Sequence, residues 1–92
     1  MQEDLIDERA LSRLKWRCRR GLLENDLFIA RFFQAFEGVL TARQGQALSQ
    51  LMELSDNDLL DLHLVRKSLS DISPEMDRED IREVLSMLRK NR

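Results

Sequence analysis

The sequence predicts an all-α fold, a single compact five-helix domain over residues 1–92, and three observations carry that reading. Apolar residues recur at spacings of three and four along most of the chain, the signature of helices with one buried stripe. Only 3 glycines and 1 proline punctuate it, too few for the turns that sheets and hairpins need. Serine and threonine stand ahead of several apolar runs, where their hydroxyls can cap a helix N-terminus. With 42% apolar and 35% charged residues the composition is that of a folded domain rather than a disordered one.

Residues 3 to 19 read as the first helix, with Ile6, Ala10, Leu11, Leu14 and Cys18 on one stripe and Gly21 as its stop. Residues 22 to 37 form the second, with Ile29, Phe32, Phe33 and Phe36 on one face and Gly38 closing it. Thr41 followed by Gln44 has the capping-box pattern, so a third helix runs through Ala47, Leu48, Leu51 and Met52 to about Leu54. Ser55 and Asp58 repeat the signal for a short fourth helix carrying Leu59, Leu60, Leu62 and Leu64, after which Lys67 to Ile72 reads as a loop. Ser73-Pro74 opens the last helix, proline being tolerated where its missing N–H has no partner, and Ile81, Val84, Leu85 and Leu88 form its buried face.

Several function classes are disfavoured by what the chain contains. Cys18 is the sole cysteine and His63 the sole histidine, so no internal disulfide forms and no zinc site assembles without outside ligands. No nucleophile stands beside a base, and there is no glycine-rich phosphate loop. His63 lies among leucines and Cys18 on the apolar stripe of the first helix, which makes both packing residues before they are catalytic ones. The acidic start of the chain is unlike a presequence, and the apolar runs are too short to insert in a membrane, so a cytoplasmic location is expected.

The net charge of −2 conceals a segregation. Arg9, Arg13, Lys15, Arg17, Arg19 and Arg20 fall in one stretch, whereas Glu53, Asp56, Asp58 and Asp61 form another with no base among them. Acids at the start of the first helix and bases at its end suit the helix dipole, which accounts for the sign of the pattern but not its excess. A helical projection places Trp16 away from Leu14 and near Arg9, Arg13 and Arg20. Either it is an exposed aromatic ringed by arginines, a common make-up for a binding hot spot, or another segment folds over it. Phosphate contact and base stacking by this stretch is a rival reading, disfavoured by a pI near 5.4, so no nucleic-acid partner is expected. An antitoxin-like or regulatory protein-binding module is another.

The stretch from Trp16 through Arg17, Cys18, Arg19, Arg20, Gly21, Leu22, Leu23, Glu24 and Asn25 to Asp26, with Phe32-Phe33 following, resembles the Arg-Gly-x-x-Glu signature of the SdhE family, the bacterial relatives of succinate dehydrogenase assembly factor 2. Leu51 to Leu60, containing Asp56-Asn57-Asp58-Leu59, is similar to that family's second motif; together the likeness covers residues 9 to 65. The chain departs from the pattern in having Leu62 and His63 where a tryptophan usually follows. The resemblance implies a non-enzymatic, five-helix assembly factor, and a monomer is expected. It implies binding to the flavoprotein subunit of succinate dehydrogenase, or of fumarate reductase, and promotion of covalent FAD attachment. In that mechanism a histidine of the flavoprotein attacks the 8α-methyl carbon of the flavin, so FAD belongs to the partner and none is bound permanently here. Arg20 and Glu24 would make polar contacts with the flavoprotein, and Gly21 would let backbones approach closely. Trp16, Arg17, Arg19 and Asp26 would extend that surface, while Asp56 and Asp58 would either join it or serve only to cap a helix.

Overall fold

A computed structural model of the chain describes residues 4–19 and 22–90; Arg20 and Gly21 lie outside the described residues. Six α-helices follow one another: α1 Glu8–Arg17, α2 Leu23–Phe36, α3 Ala42–Leu51, α4 Asp56–His63, α5 Leu69–Ile72 and α6 Glu79–Lys90. A 3-10 turn, Pro74–Met76, stands between the last two. The all-α class therefore holds among the described residues, with six helices where five were expected.

The differences lie at boundaries and have local causes. The first helix starts at Glu8 rather than residue 3, because Asp7 is extended at φ −76°, ψ 162° and accepts the Ala10 N–H as N-cap. Residues before it leave helical geometry to lie against the start of α3. There the Ile6 N–H donates to the Leu40 carbonyl and the Ala42 N–H to the Asp4 carbonyl, both at 2.9 Å. Helix α3 ends at Leu51 instead of Leu54. The supposed loop at 67–72 holds α5, nucleated by a capping box in which the Ser68 hydroxyl takes the Asp71 N–H and the Asp71 carboxylate takes the Ser68 N–H. Ser73-Pro74 opens only a single 3-10 turn, and the last helix begins at Glu79.

Helix α3 packs against α6, α2 against both α4 and α6, and α1 against α3. Phe32, Leu40, Leu48, Leu51, Leu59, Leu62, Ile81, Val84 and Leu88 are all fully buried in a shared core. Gly45 leaves room for the extended segment ahead of α1 to lie on α3, since a Cβ there would stand 2.7 Å from Ile6 Cδ1. The radius of gyration, 12.4 Å, matches the ~12 Å of a compact chain this long. Among the described residues no helix is long and apolar enough to cross a membrane.

Candidate docking surface

The C-terminal end of α1 carries the exposed aromatic, with Arg19 rather than Arg9 or Arg13 against it. Leu14 and Cys18 face the core, which turns Trp16 outward, 71% exposed. The Arg19 guanidinium lies 4.9 Å from its ring centroid, a cation–π contact that holds the indole against an arginine rather than under another helix. Of the two readings of Trp16, the exposed one is correct.

Arg17 points another way. Its Nε donates to the Ser49 carbonyl at 3.4 Å and its guanidinium stands 3.5 Å from Glu53, so it ties α1 to the end of α3. Lys15 pairs with Glu37 at 2.5 Å on a further side. Both pairs are largely exposed and add little stability, but they fix where two of the basic side chains lie.

Asp26, half-buried in the first turn of α2, shares an open cleft of ≈340 Å³ with Lys15, Cys18, Arg19 and Phe33. Trp16, Arg19 and Asp26 are thus neighbours around one end of α1. Glu24 sits on a different side of α2 and is exposed. It borders a groove of ≈240 Å³ formed with Leu27, Phe28 and Arg31 and with Leu60 and Leu64 of α4. Asp56 and Asp58 occupy the first turn of α4, where the Ser55 hydroxyl takes the Asp58 N–H at 3.2 Å. The cap itself is Ser55, and both carboxylates stand in the first turn, where a helix N-terminus favours negative charge.

One residue that the sequence reading passed over joins the two motifs. Asn25 is fully buried, and its Nδ2 donates to the Asp56 carbonyl at 3.0 Å, fastening the start of α2 to the start of α4. Its signal was present: Asn25 precedes Ile29 by one turn and so falls on the apolar face of α2, where a polar residue requires a partner. His63 is also fully buried, with its ring stacked on Phe28 at 4.4 Å, and Cys18 is 1% exposed. Neither is presented to a substrate. Among the described residues no group of three or more His, Cys, Asp or Glu is placed to hold a metal.

A family model described as the flavinator of succinate dehydrogenase matches residues 12–92. The chain is 49% identical over 85 residues to the FAD assembly factor SdhE of Ralstonia nicotianae, covering 90% of this chain and 84% of that protein. It is 46% identical over 48 residues to the SdhE of Aliivibrio fischeri, covering 52% and 56% of the two chains. To the SdhE of Legionella pneumophila it is 41% identical over 54 residues, covering 59% and 68%. No solved structure matches the chain. With the family model spanning residues 12–92, the chain belongs to the SdhE family of succinate dehydrogenase flavinators.

Proposed function

We propose that this chain is an FAD assembly factor that binds the flavoprotein subunit of succinate dehydrogenase and promotes covalent attachment of FAD to it. The observation that carries the reading is the agreement with the flavinator family across residues 12–92. The flavoprotein of fumarate reductase, which has the same chemistry to complete, is a second client. The chain works in the cytoplasm as a monomer, one copy to one flavoprotein.

The chain's share is positional. Its histidine and cysteine are buried, so it offers the client a surface rather than a reacting group. FAD is the client's cargo, and its electron-poor ring supplies the reactivity toward a client histidine. Trp16 and Arg19 present a flat, preorganised cation–π unit that loses little side-chain freedom on docking. Glu24 offers an exposed carboxylate for a basic group, and Arg20 and Gly21, the other two residues of the family signature, take part in the same recognition. Asp26 adds a second carboxylate beside Arg19. By holding the subunit in the arrangement that sets histidine against flavin, the factor turns a rare encounter into a favoured one.

The test is a reconstitution with purified apo-flavoprotein and FAD, read as flavin fluorescence that survives denaturing electrophoresis. The chain should accelerate covalent incorporation several-fold. Arg20→Ala and Glu24→Ala should change folding stability by less than about 1 kcal/mol yet remove most of the acceleration. Equal rates with and without the wild-type chain would reject the function; variants that lose melting temperature and activity in parallel would reject the docking roles.

A further inference from the structure

Helix α2 carries an apolar stripe that the core does not use. Leu23 is 68% and Leu27 47% exposed, one turn apart, and across the groove stands Leu64, the C-cap of α4, at 42%. Phe28, backed by the ring of His63, lines the groove between them. Water-facing leucines on two adjacent helices form a patch rather than scattered exposure.

Two opposite charges border this patch. Glu24 and Arg31 are both exposed, lie two turns apart on α2 or about 10 Å along its axis, and have no ion-pair partner among the described residues. They are equally far in sequence from the midpoint between Leu27 and Phe28. A helix face with that arrangement is complementary to itself: turned end for end about a two-fold axis at the midpoint, each Glu24 meets the Arg31 of the second copy, and Leu27 and Phe28 meet across the axis.

We propose that this face pairs with a second copy of the chain, giving a two-fold symmetric dimer through antiparallel α2 helices. The apolar stripe supplies the attraction and the two Glu24 to Arg31 pairs set the register and direction. A single helix face falls short of the ~800 Å² per partner of a standard interface, so the dimer is weak and forms only at high concentration. It also covers Glu24. On the function proposed above, self-pairing and client binding then exclude one another, and the dimer is a reserve that the flavoprotein draws down.

Sedimentation and amide chemical shifts of the full chain, followed from about 10 µM to about 1 mM, test the proposal. The mean mass should rise toward that of two chains, with shift changes confined to α2 and the end of α4. Glu24→Arg or Arg31→Glu alone, which sets like charges against each other, should weaken association by roughly tenfold or more, and the two together should restore it. Circular dichroism confirms that each variant is folded. A constant mass throughout, or a dimer indifferent to both single reversals, overturns the proposal. So does a chain that stays single while its α2 amides shift only on adding apo-flavoprotein, which assigns the groove to the client instead. Because the readout is mass and not flavinylation, this outcome leaves the test of function untouched.

Discussion

Val65 has a φ of 59°, in the left-handed region that a β-branched side chain resists. It follows the C-cap Leu64 of α4, and the turn closes with the Arg66 N–H on the Asp61 carbonyl at 2.8 Å and the Val65 N–H on the Leu62 carbonyl at 3.2 Å. This is the Schellman arrangement, in which glycine is the usual occupant. Val65→Gly should therefore relieve strain that exceeds the entropy glycine adds to the unfolded chain, stabilising the fold by about 0.5–1 kcal/mol; a thermal melt that fails to rise contradicts this. Asp71 gives a pH-dependent case. The Ser68 N–H, then its hydroxyl, hold the Asp71 carboxyl below its ordinary pKa. A depressed carboxyl stabilises the folded state above its unfolded pKa, and that contribution fades as pH falls through the folded value. Ser68→Ala keeps the N–H and removes only the hydroxyl, so it should raise the Asp71 midpoint part of the way in an NMR titration, and an unchanged midpoint would show that the hydroxyl does not act on it.

Among the elements, capping signals proved more reliable than the reach of a periodic stripe. Thr41 with Gln44 forms a complete capping box at 3.1 and 3.0 Å, as their spacing implies. Removing the hydroxyl in Thr41→Ala should cost ~1 kcal/mol in chemical denaturation. The apolar stripe of α1 included Ile6, but Ile6 reaches the core from an extended segment, and periodicity alone does not distinguish that from one more helical turn. Pro74 satisfies the rule for a first helical position, yet Asp77 at φ −80°, ψ 68° breaks the run before α6, a backbone choice that no residue pattern announces. The candidate site divides in the same way. Trp16 was legible because one helical projection suffices to expose it, whereas the turn of Arg17 toward Glu53 depends on where α3 ends. The link from Asn25 to Asp56 requires knowing that α2 and α4 are neighbours. It predicts that Asn25→Ala, by breaking a buried hydrogen bond, should cost about 1–3 kcal/mol and speed amide exchange at the starts of both helices.

At the scale of the whole molecule, the helices α3 and α6 close the core although residues 52–78 separate them in the chain. Leu88, like Ile81 and Val84, is fully buried on α6 and contributes to that closure. Leu88→Ala should cost about 2–5 kcal/mol, measured by urea denaturation, and leave a protein that is partly unfolded at physiological temperature. Charge is distributed unevenly over the same body, with bases gathered along α1 and acids along α4, despite a net of only −2. Such a distribution orients encounters without making the chain adhere to every polyanion. The exposed indole at the end of α1 also has a spectroscopic consequence. Trp16 is the molecule's single tryptophan, and it is already in water when the protein is folded. Its emission should hardly shift when the chain denatures, leaving fluorescence nearly blind to folding. Any macromolecule that covers the ring would move the emission to shorter wavelengths, so the protein carries a built-in optical probe that responds to being bound and ignores whether the rest of the chain is folded.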